Sequence, residues 1–212
     1  MLGSIIGDIV GSIYEFHNIK TKDFPFFSER CGYTDDSILT IATAKWILEG
    51  GSQSDSGGYY FRYAFNYPRP KGGYGGGFVK WVHRAEDGDF SPYNSCGNGS
   101  AMRIGPVGWA YNTKEEVLAH AKYSAESTHN HPEGIKVLRL LLSVYYWLVR
   151  VHRRMRYDMP LSRSLVTTLL LPATEFVTAM SGEAFARIQF RKPSLHSLME
   201  RILRIAFAMQ LV

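Results

Sequence analysis

Thr34-Asp35-Asp36-Ser37 lies between an aromatic-rich connection and an apolar run, and its reading decides the fold. Two adjacent carboxylates repel, which costs energy unless a cation, a cap or water compensates them. One reading is a helix start: a side-chain oxygen accepts a backbone N–H, and further acids meet the positive end of the helix dipole. The other is a set of hard oxygen ligands suited to Mg²⁺, Mn²⁺ or Ca²⁺, and not to zinc. Under either, the spacing predicts a helix through Ile38, Ile41, Ala42, Trp46 and Leu48, ended by Gly50-Gly51.

Upstream, residues 2–16 carry helical periodicity, with Ile6, Ile9, Val10 and Ile13 as an apolar stripe. Gly3, Gly7 and Gly11 share one face. Each lowers helix propensity by roughly 1 kcal/mol relative to alanine, which fits a close approach by another backbone or a ligand. Asp8, Ser12 and Glu15 follow along one side of that helix, as a solvated acidic edge or as part of a site. His17 to Tyr33 reads as loop.

Downstream, residues 50–77 hold nine glycines and read as a long loop around one short helix near Tyr59 to Phe65. Such loops serve as lids or as plain surface. A short helix, Phe78 to Glu86, follows. In Ser95-Cys96-Gly97-Asn98-Gly99-Ser100-Ala101-Met102-Arg103, the glycines allow the backbone close to a ligand. A helix starting at Ala101 would aim free N–H groups at a phosphate. An ordinary Asn-Gly turn reads the same residues, and neither a Walker nor a Rossmann pattern is present. Thr113-Lys114-Glu115-Glu116 is a capping box. In Thr128-His129-Asn130-His131-Pro132, Thr128 or Asn130 can cap and Pro132 suits a first helical turn. His129 and His131 lack a third ligand at metal spacing, so hydrogen bonding at a helix entrance is the preferred reading.

Composition bounds the remaining choices. The 212 residues, 45% hydrophobic and 20% charged, suit one domain with a substantial core and argue against general disorder. The two cysteines have no metal spacing and fit a reducing cytoplasm, the expected location. Asp8 interrupts the apolar N-terminus, which makes a poor signal peptide, and no run is long and apolar enough for a membrane span. Residues 1–136 carry a net charge of −2 and residues 137–212 a net of +7, and Gly182 is the one glycine after residue 136.

Each piece is weak alone, but their order is specific. Gly7-Asp8-x-x-Gly11-x-x-x-Glu15, then Thr34-Asp35-Asp36-Ser37, then Gly97-Asn98-Gly99-Ser100-Ala101-Met102-Arg103, then Thr128-His129-Asn130-His131-Pro132-Glu133-Gly134 resembles the ADP-ribosylglycohydrolase family, which includes the dinitrogenase-reductase-activating glycohydrolases. The resemblance covers about residues 1–136. It implies an all-α fold with two divalent cations, Mg²⁺ or Mn²⁺, at the base of a cleft. It also implies cleavage of the bond between ADP-ribose and a protein side chain, or of related ADP-ribose compounds. Carried over, Thr34, Asp35 and Asp36 are metal ligands, with Glu15 and Asp35 the catalytic acids. Asn98, Gly99, Ser100, Ala101 and Met102 cradle the phosphates, and His129 contacts the substrate. Cleavage of a ribosyl bond passes through an oxocarbenium-like state, which carboxylates assist by positioning water or protonating the leaving group.

The resemblance implies one more element, a C-terminal Asp-x-Asp-Thr/Ser motif, which this sequence does not contain. After Lys136 the acids are Asp158, Glu175, Glu183 and Glu200, all isolated. Residues 137–212 therefore read as a divergent tail, a degenerate domain or the product of a shifted reading frame. The last is favoured, because glycine, acid and arginine content change together. Weak Mg²⁺ binding and slow turnover follow as expectations, with a non-catalytic ADP-ribose-binding chain as the alternative. Arg150, Arg153, Arg154, Arg156, Arg191 and Lys192 could face nucleic acid or an acidic membrane, but runs like these usually form a solvated helix face. Nucleic acid is accordingly not an expected partner.

Overall fold

The computed structural model describes residues 2–150, apart from 22, 54, 133, 134, 136, 137, 139–141, 143–145, 147 and 148. Expectations that fall on residues 151–212 lie outside the described residues. The regular elements described are all helices: α1 Leu2–Gly11, α2 Asp35–Leu48, α3 Ser56–Asn66, α4 Gly76–Glu86, α5 Gly99–Met102, α6 Gly105–Ala110 and α7 Lys114–Glu126. Pro132, Ile135, Leu138, Leu142, Tyr146, Val149 and Arg150 are helical as well. The all-α expectation holds.

Helix α2 is the centre, and α1, α3, α5 and α6 all pack against it. Leu39 and Ala42 enter one apolar cluster with Tyr60, Ala64, Phe78 and Trp81 from α3 and α4. Trp46 enters a second with Ile104, Val107, Val117, Ala121, Ala125, Leu138 and Leu142. A helix buried on more than one side needs small residues where neighbours come close, and Ala42 and Thr43 are completely buried. Thr43 returns its hydroxyl to Leu39 O at 2.8 Å, so its polar atom is satisfied inside the core. Trp46 donates its indole N–H to Ser52 O at 2.9 Å.

The apolar face predicted for α2 is partly corrected. Ile38, Ala42 and Trp46 are buried, whereas Ile41 and Leu48 are exposed, Leu48 by 82%. Leu48 occupies the last turn, and Gly50 and Gly51 then reverse the chain with positive φ of 109° and 61°. At Gly51 a side chain would also press on the Tyr111 hydroxyl, with only 2.8 Å to spare.

The first helix is shorter than the predicted 2–16. It stops at Gly11, and the bonds Ser12 N–H to Ile9 O and Tyr14 N–H to Gly11 O turn the chain away. Ser12 donates its own hydroxyl to Ile9 O and accepts from Gly32 N–H, tying the turn to the segment before α2. Asp8 makes the larger tie. Its carboxylate is buried and accepts from Thr34 N–H at 2.9 Å, Thr34 Oγ1–H at 2.6 Å and Ser37 Oγ–H at 2.6 Å. The short helix expected near Tyr59 to Phe65 in the glycine-rich stretch 50–77 is present as the longer α3, Ser56–Asn66, so less of the stretch is loop than expected. The stretch divides between the end of α2, the interior of α3, a turn at Gly72-Gly73 and the start of α4.

Tyr60 links the two clusters through polar atoms. Its hydroxyl lies 3.2 Å from Thr43 Oγ1 on α2 and 2.6 Å from Ser124 Oγ on α7. The predicted capping box at Thr113 and Glu116 starts α7.

Two stability measurements check this frame. Asp8→Ala strands two hydroxyl donors and an N–H, and a loss of about 3 kcal/mol is expected in urea unfolding. Tyr60→Phe keeps the packing and removes one hydroxyl shared by two partners, so about 1 kcal/mol is expected.

Candidate active site

The acids of the opening motif collect where α2 begins. Thr34 is the N-cap, with extended backbone, and its Oγ1 accepts from Asp36 N–H at 3.2 Å. The same oxygen gives its hydrogen to Asp8, which leaves one lone pair uncommitted among these contacts. Capping and cation binding are therefore compatible at Thr34. Asp8, already accepting three hydrogen bonds, acts as the support that orients Thr34 and Ser37.

Asp35 follows in the first turn. Burial pushes its carboxyl from the ordinary 3.8 to about 7, and the charges of Asp36, Glu15 and Asp8 push in the same direction. Four carboxyl groups thus share one electrostatic neighbourhood, although Glu15 lies in the bend after α1, beyond the helix that was to carry it. The Gly72 turn explains its position. Gly72 has φ +82°, and a side chain there would come within 3.3 Å of Glu15 Oε2 and 3.4 Å of the Phe16 ring. Lys71 N–H bonds Tyr33 O at 3.0 Å, so this turn is fastened beside the motif. Tyr74 stands close enough that burial and the Asp35 charge both raise its phenol.

Oxygen donors of this kind suit a hard divalent cation. Among the described residues, however, no group of three or more His, Cys, Asp and Glu side chains is arranged to hold a metal ion. The N-terminus of α2 supplies the chemistry of such a site and only part of a cage.

The second cluster rests against the middle of α2, where Thr40 donates to Met102 O at 3.4 Å. Asn98 is exposed and precedes α5, Gly99 and Ala101 are half-buried, and Ser100 is buried. Met102 packs on the cluster of Leu39, Tyr60 and Trp81, so its side chain belongs to the core. The short helix begins at Gly99, two residues before the predicted start at Ala101. His129 closes over this segment. A Cβ at Gly99 would lie 2.9 Å from His129 Cε1, so glycine is what lets the imidazole approach.

His129 is buried, with Nδ1 2.7 Å from Thr128 Oγ1 and its ring 6.2 Å from the ring of Tyr93. Burial, with help from the Arg103 charge, lowers its pKa to about 3, so the ring is neutral at ordinary pH. Thr128 spends its hydroxyl here and Asn130 is exposed.

Arg103 ends the Gly97–Arg103 motif. It is completely buried, donates from Nη2 to Ser124 O at 2.6 Å and Thr128 Oγ1 at 2.9 Å, and lies 3.8 Å over the Tyr60 ring. Nε and Nη1 have no hydrogen-bond partner among the described residues, and the aromatic face offers part of the compensation a buried cation needs. A lone arginine after an apolar residue gives no sign of this in sequence. Tyr60 and Ser124, which receive it, were equally silent.

The family model for ADP-ribosylglycohydrolase matches residues 1–207, so the likeness continues past residue 136, where the motifs end. The chain is 27% identical to the ADP-ribosylhydrolase ARH3 of Xenopus tropicalis, over 70% of this chain and 49% of that protein. It is 27% identical to the mouse (Mus musculus) protein, over 61% and 42%, and 28% identical to the human (Homo sapiens) one, over 61% and 43%. The matched region thus spans less than half the length of these relatives. The match runs almost from end to end of this sequence, and the chain belongs to the ADP-ribosylglycohydrolase family.

Proposed function

We propose that this chain acts on the glycosidic bond between ADP-ribose and a protein side chain, or on a related ADP-ribose compound, with Mg²⁺ or Mn²⁺ as cofactor. The observation that carries the reading is the Asp35 carboxyl, raised to about 7 by burial and three neighbouring acids at the start of α2. A buried set of carboxylates stays ionised at neutral pH only with a compensating cation, and otherwise holds a proton. Asp35 suits both duties. Beside a cation it is an ionised ligand that can accept a hydrogen bond from an attacking water; without one it holds a proton near neutral pH.

Thr34 Oγ1, Asp35 and Asp36 would hold the metal, with further ligands from outside this motif. A bound divalent ion would supply Lewis acidity and a water of lowered pKa. Glu15, beneath the Gly72 turn, adds a carboxylate to the same field. The exposed Asn98 and the backbone N–H groups of Gly99 and Ser100 would receive the phosphates, with His129 beside them, whereas the Ala101 and Met102 N–H groups of the expected cradle are spent on Asn98 O at 2.8 and 3.0 Å.

The direct test is release of ADP-ribose from ADP-ribosylated serine and arginine peptides, with and without Mg²⁺. Slow, Mg²⁺-dependent release is expected, and Asp35→Asn should lower kcat about 100-fold. ADP-ribose binding with no release under any metal would favour the non-catalytic alternative.

The raised carboxyl predicts a pH signature. Without metal, a fold that keeps Asp35 protonated is favoured at low pH, and that contribution is lost as pH rises from 3.8 to about 7. Cation binding displaces the proton, so the rise in Tm caused by Mg²⁺ should grow from about pH 5.5 to about pH 8. A Mg²⁺ effect that is the same at both would remove Asp35 from the ligand set.

Gly99→Ala forces a methyl against His129, whose ring is fixed by Thr128. A loss of about 1–3 kcal/mol in thermal unfolding is expected, together with weaker ADP-ribose binding by calorimetry.

A further inference from the structure

Thr128 has a single hydroxyl hydrogen and is completely buried. Among the described residues its Oγ1 has two hydrogen-bond partners, Arg103 Nη2 at 2.9 Å and His129 Nδ1 at 2.7 Å. A guanidinium can only donate, so one lone pair of Oγ1 is taken by Arg103. If His129 Nδ1 also donated, the Thr128 hydrogen would have no acceptor in a dry site, at a cost of about 1–3 kcal/mol. The arrangement that satisfies every atom has Thr128 donating to Nδ1. The imidazole proton then sits on Nε2, the nitrogen that faces Gly97 and Gly99, and lies 3.9 Å and 3.2 Å from where their Cβ atoms would be.

We infer that Arg103 and Thr128 are positioning residues that lock His129 in its neutral, Nε2–H tautomer, making it a fixed hydrogen-bond donor at the Gly97–Gly99 segment. The recipient, an oxygen of bound ADP-ribose, rests on the reading given under Proposed function; the tautomer does not. Arg103 does two things in this arrangement. It orients the threonine hydroxyl by occupying one lone pair, and its buried charge opposes an imidazolium nearby. It is itself held by Ser124 O, bonded from the same Nη2, and by the Tyr60 ring beneath the guanidinium. His129 is thereby a donor that neither gives up nor gains a proton during turnover.

The test is nitrogen-15 NMR of the imidazoles in the full, ligand-free chain, followed by ADP-ribose titration. The expected result is an unprotonated Nδ1 and a protonated Nε2 on His129, unchanged across neutral and mildly acidic pH. Thr128→Val keeps the shape, removes the donor and should give a mixed or Nδ1–H population with about 10-fold weaker ADP-ribose binding. Thr128→Ser should restore both. An Nδ1–H tautomer in the unaltered chain, a ring that protonates near its ordinary pKa, or a Thr128→Val variant with the original pattern would each overturn the inference. The NMR part needs no ligand, so an unaltered chain with the expected tautomer and no affinity for ADP-ribose would overturn the recipient and the proposed function, and leave the lock standing.

Discussion

The carboxylate of Asp8 takes three hydrogen bonds from the first residues of α2, and the arrangement of the site depends on that grip. A helix N-terminus has unsatisfied N–H groups and a partial positive charge, so it attracts acids whether or not they have chemistry to perform. Here one acid, contributed by α1 from 26 residues earlier, saturates itself on Thr34 and Ser37. At Asp35 burial, and after it the charges of Asp36, Glu15 and Asp8, make ionisation costly and raise the carboxyl toward neutrality. The capping of Thr34-Asp35-Asp36-Ser37 leaves room for the cation reading, because the cap commits only one lone pair of Thr34 Oγ1 among these contacts.

Much of this was legible in the sequence where local rules apply. The start of α2, its glycine ending and the capping box of α7 follow from capping chemistry, and the structure repeats them. The acidic motif was visible because two adjacent carboxylates are expensive. What the sequence hid is tertiary. The exposure of Ile41 and Leu48 depends on which neighbours reach α2. Glu15 was assigned to a helix that stops at Gly11, and it reaches the acidic group through the bend. Arg103 is the clearest case, since nothing in its neighbourhood along the chain announces Tyr60, 43 residues earlier, or Ser124 and Thr128, later.

The two candidate clusters stand at two places on one helix. The acids crown the N-terminus of α2, and the Gly97–Met102 segment leans on its middle through Thr40 and the packing of Met102 beside Leu39. The chain belongs to the ADP-ribosylglycohydrolase family, and α2 sets the separation of the two clusters. Helices hold such spacing better than loops, because each residue is fixed by its own hydrogen bond and by packing on both sides.

The double burial of α2 has a consequence for how the chain is made. The buried members of one of its apolar clusters run to Trp81, while the other adds residues from Ile104 to Leu142. On the ribosome the first cluster can close as soon as α4 has emerged, while Trp46 still has no partner from α6 or α7. For the time taken to synthesise the next several dozen residues, a half-covered helix with a bare tryptophan is exposed to whatever is nearby. Completion of the fold therefore waits on α6 and α7, which supply the cover for Trp46.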